Sequence, residues 1–308
     1  MTNTPFFSKP SLFVTLLLTI ALFSCTLKAR DRQKTTISGS NTEAPVSQLL
    51  ADAYLKKHPD ARWIEIASEG SFSGIDELIS GKVDIANSSR KMTTEEFEQA
   101  RKNGVQPIEV IIANDALCII TNPRLGVDSL SIEQIRGIYA GKITNWKTVG
   151  GPDASIRLYG RNTLSGTRDY LEKSIIGAHS HGKLFERDNT QDVIEILRKD
   201  PYGIGYAGIG NLMQDGKPTS DVWVMNIYSE NLPAVSPFER SKVISGEYLL
   251  SRPLYQYFNG IPTGEIMRFL QFEISTEGQE IVHTSGFYPI LETHKALNRE
   301  NGIYPFTE

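Results

Sequence analysis

Ile108-Glu109-Val110-Ile111-Ile112-Ala113-Asn114-Asp115-Ala116-Leu117-Cys118-Ile119-Ile120 is the stretch that decides the fold. Ile108–Ala113 and Leu117–Ile120 are strand-like apolar runs, and Asn114-Asp115 interrupts them. A polar pause inside a long strand predicts that the chain crosses here from one lobe to another.

A strand–helix rhythm extends outward from this stretch. Before it, Thr35–Ser38 reads as a short strand. Val46, Leu49, Leu50, Ala53 and Tyr54 then recur at helical spacing, with Pro59 just beyond. Trp63–Ala67 is a second strand. Ile75, Leu78 and Ile79 mark a short helix that Gly81 can stop. Val83–Ala86 is a third strand, and Thr93 with Glu96 fits a capping box. After the crossover come a helix (Ile132–Tyr139), a strand (Ile156–Tyr159) and a helix through Tyr170, Leu171 and Ile175. Val193–Leu197 predicts another helix and Gly203-Ile204-Gly205-Tyr206 a Gly-framed strand. Residues 211–240 read as irregular, and Ile266–Phe272 as a late amphipathic helix. This alternation predicts an α/β fold with much parallel pairing.

The bulk numbers set limits. With 308 residues, 40% of them hydrophobic, the chain can bury a substantial core. A formal net charge of -4 gives no global basic surface, so no nucleic-acid partner is expected. The histidines are His58, His179, His181, His283 and His294; only His179 and His181 are close, in a polar stretch read as a solvated loop. Two cysteines exclude a four-cysteine zinc site. There is no phosphate-binding P-loop and no Ser/His/Asp set apparent by spacing. We therefore expect no metal, no cofactor and no enzyme.

At the N-terminus, Lys9 precedes an apolar stretch, Leu12 to Phe23, too short for a comfortable membrane span. It ends in Leu22-Phe23-Ser24-Cys25, which resembles the lipobox of bacterial lipoproteins. Residues 1–24 are then a signal peptide, Cys25 the lipidated residue and 25–34 a tether. Cys118 would have no intrachain partner and reads as a buried, inert thiol.

Three short Ser/Thr/Gly segments each lie between a strand and a helix. They are Gly39-Ser40-Asn41-Thr42, Gly70-Ser71-Phe72-Ser73-Gly74 and Arg161-Asn162-Thr163-Leu164-Ser165-Gly166-Thr167. Helix N-termini present unpaired N–H groups and a positive dipole end, which favour anions. In α/β folds these junctions sit where ligands bind. Thr42 can cap its helix, with Glu43, Ala44 and Pro45 in the first turn. Ser71 and Ser73 precede the next helix, where Gly70 and Gly74 would let a ligand approach the backbone. Arg161 offers a fork of donors suited to tetrahedral oxyanions, and Ser165, Gly166 and Thr167 complete a hemisphere. Ser88-Ser89-Arg90 follows the third strand and could add donors. Together they predict a site that encloses one small oxyanion.

At these residues the chain resembles the PstS-like family, the phosphate-binding proteins of the high-affinity phosphate ABC transporter. The likeness covers roughly residues 35–290. It rests on the segments above, on Asp84-Ile85-Ala86-Asn87-Ser88-Ser89-Arg90 and on Tyr139-Ala140-Gly141-Lys142-Ile143-Thr144-Asn145-Trp146. Gly278-Gln279 and Gly286-Phe287-Tyr288-Pro289 complete it. The resemblance implies a two-lobed type II periplasmic-binding-protein fold that closes on a hinge over inorganic phosphate. Its implied ligands are Thr42, the Glu43 amide, Ser71, Ser89, Arg161, Ser165, Gly166 and Thr167. One lobe would combine residues 35–114 with about 226–308, and the other would span about 115–225. A monomer that is lipid-anchored to a bacterial membrane, in the periplasm or on the outer surface, would hand phosphate to permease subunits. The alternatives are a binder of sulfate, molybdate or an organic phosphate, or a phosphate-sensing surface lipoprotein without a transport role.

Two positions depart from the family pattern. Well-known members carry an aspartate where this chain has Ser89, as its Ser-Ser-Arg branch does. Some members restrain the arginine with an aspartate where this chain has Thr163. The first change removes a carboxylate that would repel fully deprotonated sulfate; the second leaves Arg161 with more undirected positive charge.

Overall fold

The computed structural model describes residues 34–177, 183–214 and 216–304. The predicted signal peptide, Cys25 and nearly all of the tether lie outside the described residues, as does the loop with His179 and His181. No helix among the described residues is long and apolar enough to cross a membrane.

The strands are β1 (Lys34–Gly39), β2 (Trp63–Ala67), β3 (Ile85–Ser88), β4 (Pro107–Thr121), β5 (Ser129–Ser131), β6 (Arg157–Arg161), β7 (Leu184–Arg187) and β8 (Gly203–Gly208). They continue with β9 (Met213–Gln214), β10 (Lys217–Pro218), β11 (Trp223–Val224), β12 (Asn226–Ser229), β13 (Leu232–Val235) and β14 (Ser251–Asn259). The main sheet runs β2-β1-β3-β14-β4-β8-β6-β7, with β11 also on β4.

β4 joins the two halves of this sheet. Residues Pro107 to Ala116 pair antiparallel with β14, and Leu117 to Thr121 pair antiparallel with β8. The polar pause at Asn114-Asp115 lies just before the Ala116-Leu117 step, where the strand changes partners. Asn114 exchanges backbone hydrogen bonds with Tyr288, at 2.7 and 2.9 Å, and its side-chain amide donates to the Pro289 carbonyl at 3.0 Å. The Gly286-to-Pro289 segment thus braces β4 beside its change of partner. Phe287 is buried against Gly210, where a Cβ would come within 1.9 Å of the ring.

Local chemistry explains the helices on either side. The helix Ala44–Lys57 buries Val46, Leu50, Ala51 and Tyr54 as one stripe. Thr94–Lys102 begins with the predicted Thr93/Glu96 capping box. Ser71–Ile79 ends before Gly81, whose φ of +70° suits a helix stop. Ile132–Tyr139 has the predicted bounds and a second capping box, Ser131 with Gln134. Gly278-Gln279 also serves the frame. A Cβ on Gly278 would lie 2.2 Å from the Phe272 carbonyl, and Gln279 donates to Ile112 O at 3.0 Å.

Four details differ from expectation. The third strand is Ile85–Ser88 rather than Val83–Ala86, because the Asp84 carboxylate is taken by Thr36 N and Oγ1 at 2.8 and 3.0 Å. Residues 211–240 are not irregular throughout: they hold β9 to β13, and β12 pairs parallel with β5. These strands are only two to four residues long, too short to show alternation. The helix at Tyr170 is two pieces, Gly166–Tyr170 and a π-helical turn Leu171–Ile176. No strand is predicted at Ser251–Asn259, where β14 runs with Pro253 inside it, a residue unusual in a central strand.

Candidate anion-binding site

The three Ser/Thr/Gly segments meet. Gly39 ends β1, Ser88 ends β3 and Arg161 ends β6, and helices begin at Ala44, Ser71 and Gly166. The first two junctions stand on one side of the β4–β14 pair in the sheet and the third on the other. The three junctions therefore converge between the two halves, at strand ends, where such folds bind ligands.

Tight backbone contacts fix the first half. Gly39 has φ +130°, and a Cβ there would be 2.1 Å from Asn87 O. Ser40 N donates to that same carbonyl at 2.9 Å, locking the first loop beside β3. Ser40 Oγ lies 2.5 Å from Ser89 Oγ and accepts from Glu43 N at 3.3 Å. Ser89 N donates to Ser71 Oγ at 3.0 Å. Gly70 and Gly74 do allow close approach, but to protein. Added Cβ atoms would sit 2.4 Å from Leu164 O and from Ser38 O respectively.

Thr42 is not the helix cap. Glu43 holds that position without a side-chain cap. The Thr42 hydroxyl is instead buried and lies 2.9 Å from Thr167 Oγ1, across the two halves. Ser71 is likewise the first residue of its helix, with Gly70 before it. Ser165 caps the helix Gly166–Tyr170, accepting from Arg168 N at 3.3 Å. Gly166 packs so closely that a Cβ would fall 2.3 Å from Ser71 Oγ and 2.7 Å from Ser71 Cβ. Ser165 and Thr167 are buried.

Arg161 is 1% exposed. Its Nη1 donates to Thr190 Oγ1 at 3.1 Å and to Asn41 Oδ1 at 3.3 Å, and Nη2 donates to Asp188 O at 2.8 Å. Its backbone N donates to Tyr206 OH at 2.9 Å. All these side-chain acceptors are neutral, and Nε has no partner. Burial pulls the Arg161 pKa down, yet a guanidinium stays cationic. Asp188 and Asp192 favour the charge electrostatically, but a buried cation with no carboxylate hydrogen-bonded to it stays costly unless something anionic joins it. Asn41 and Thr190 thus do the restraining that Thr163 cannot.

Arg90 is committed elsewhere. It forms a two-pronged pair with Glu96, at 2.6 and 2.7 Å, and stacks 3.8 Å over the Phe72 ring. Its Nε, 3.8 Å from Asp169 Oδ2, faces the opposite half. The Glu43 carboxyl is fully buried with neither oxygen hydrogen-bonded, and burial raises its pKa well above the ordinary carboxylate range.

Sequence reasoning missed Asn41, Thr190, Tyr206 and the Arg252–Asp115 pair. Tyr206 was partly visible. Its strand is framed by Gly203 and Gly205, where Cβ atoms would meet Leu197, Tyr159 and Val193 within 2.8 Å.

The chain is similar to known proteins along most of its length. The PBP superfamily domain matches residues 26–277. The phosphate-binding protein PstS of Borreliella burgdorferi is 32% identical over 297 residues, 92% of this chain and 99% of that protein. Two solved structures are also similar. One is a candidate phosphate ABC transporter substrate-binding protein with bound phosphate from Clostridium perfringens: 30% identity, TM-score 0.72, 84% of this chain and 100% of that one. The other is an ABC-type phosphate transport receptor from Vibrio cholerae: 26% identity, TM-score 0.65, 83% of this chain and 100% of that one.

Proposed function

The chain belongs to the PBP superfamily, among its PstS-like members, and on that footing we propose that it captures inorganic phosphate outside the cytoplasm for an ABC transporter. The reaction is binding without chemistry. One observation carries the reading: Arg161 is a buried cation whose protein acceptors are all neutral. A bound oxyanion would supply the missing negative charge.

In this reading Thr42, the Glu43 amide, Ser71, Ser89, Ser165, the Gly166 amide and Thr167 surround phosphate with neutral donors, while Arg161 adds net charge. One half holds the ligand and the other closes over it on β4 and β14. We place the return to the first lobe at Leu250-Ser251, where β14 begins, because β12 and β13 stay with β5. Cys25 would carry the lipid that keeps the monomer at the membrane beside its permease.

The test is the ligand content of protein purified from cells, measured after denaturation. One phosphate per chain is expected. A thermal-shift titration with phosphate, arsenate and sulfate tests selectivity. The phosphate shift should survive excess sulfate. Equal displacement by sulfate would make this a general oxyanion binder, which the neutral Ser40–Ser89 hydroxyl pair would permit. A chain that carries no phosphate and shows no shift with it would sink the proposal.

A further inference from the structure

Arg252 stands opposite Asp115 in the β4–β14 ladder, so the two side chains leave the sheet on one face. Both are buried. Arg252 Nε and Nη2 donate to Asp115 Oδ2, at 3.1 and 2.8 Å. Asp115 Oδ1 accepts from Ile209 N at 2.9 Å, so the carboxylate is held on both oxygens. The remaining donors of Arg252 point into the site. Nη2 also donates to Thr167 Oγ1 at 2.9 Å, and Nη1 to Ser89 O at 3.2 Å. The Tyr170 ring lies 5.1 Å away and covers the guanidinium. One rigid planar group therefore joins the crossover strand, the end of β3 and the helix start beyond Arg161.

Asp115 cancels the charge of Arg252, so what this pair brings to the site is direction rather than net attraction. A hydroxyl that accepts from a guanidinium has a lone pair occupied and its own proton turned away from that cation. It is thereby a better oriented and more polarised donor. Thr167 is in that position, with Thr42 Oγ1 2.9 Å away. A ligand between the two halves would receive the Thr167 proton.

We propose that Arg252 is a positioning residue of the anion site: held by Asp115, it fixes Thr167 as a donor and ties the second half to the Ser89 edge. The inference rests on the phosphate reading above. It needs no contact between Arg252 and the ligand.

Calorimetry with inorganic phosphate, on the mature chain, tests it with four variants: R252Q, R252K, T167V and the R252Q/T167V double. R252Q should weaken binding by about tenfold or more, the range for one hydrogen bond to a charged group. T167V should weaken it comparably. The double should bind within about twofold of the weaker single, because both remove one shared interaction. R252K can meet Asp115 but cannot span Asp115, Thr167 and Ser89 together. It should therefore fold normally by melting temperature and still bind weakly, which settles the question if R252Q fails to fold. A merely structural Arg252 would give lower melting temperatures with unchanged affinity, or losses that add in the double; either result overturns the proposal. Wild-type protein that binds sulfate in place of phosphate would correct the ligand alone, and the same variants titrated with sulfate would then decide the role of Arg252.

Discussion

Thr42 Oγ1 and Thr167 Oγ1 lie 2.9 Å apart although 125 residues separate them. Thr42 follows β1 and Thr167 follows β6, on opposite sides of the β4–β14 pair. Their contact, with Phe72 N donating to Leu164 O at 3.2 Å, shows the two halves closed on each other.

Arg161→Ala removes a buried cation to which no carboxylate is hydrogen-bonded. Phosphate affinity should fall by about 1.5–3 kcal/mol, the worth of a hydrogen bond to a charged group, or more in so buried a site. Arg161→Lys should recover little, since the three protons of an ammonium, on one point, cannot serve Asn41, Thr190, the Asp188 carbonyl and the ligand at once. Calorimetry of both variants checks this. Unchanged affinity in the alanine variant would remove Arg161 from the site.

Gly166→Ala places a methyl group where Ser71 already sits, 2.3 Å from its Oγ. The halves must then stay apart or shift, at a cost of about 1–3 kcal/mol of closure. Phosphate should bind at least several-fold more weakly, and small-angle scattering of the phosphate-saturated variant should show a more open particle than wild type. A fully compact, tight-binding variant would contradict the interlocking of these two residues.

Stability should fall as pH rises through the neutral range. Glu273 is fully buried, and burial lifts its pKa from the ordinary 4.5 to about 8, even though Gln256 donates to it at 3.0 Å. Glu43 is raised in the same direction, also by burial first. Between these two values the folded protein holds a proton on Glu273 that the unfolded chain has released. Rising pH therefore favours unfolding, by up to about 1.4 kcal/mol per unit. Glu273→Gln should flatten the profile, and its gain over wild type should grow with pH up to about 8 and stay there above it. Urea midpoints at pH 5, 7 and 8.5 measure this, and parallel curves for the two proteins would refute it.

Cys118 should not react while the protein is folded. It is fully buried on β4, and burial pushes its thiol well above the ordinary value. A form beginning at Thr26 should take up a thiol reagent only when denaturant unfolds it. Rapid labelling of the native form would show that β4 opens locally.

Sequence alone carried the chain a long way. Strand and helix alternation follows from local apolar periodicity, and the capping box at Thr93 and the stop at Gly81 follow from side-chain and backbone chemistry within a few residues. Ile132–Tyr139 and Trp63–Ala67 were legible to the residue for that reason. The three strand–helix junctions were legible too, because a strand end followed by hydroxyls and a helix start is a local pattern. What each residue in those junctions does was decided only in three dimensions. Thr42 spends its hydroxyl across the cleft rather than on its own helix, and the glycines at 70 and 74 make room for the backbone of Leu164 and Ser38. Asn41, Thr190 and Tyr206 reach Arg161 from other elements, and Arg252 meets Thr167 because β14 returns beside β4. Local sequence fixes which donors exist. The register of β4 with β14 and β8, set by pairings between distant segments, fixes which of them converge.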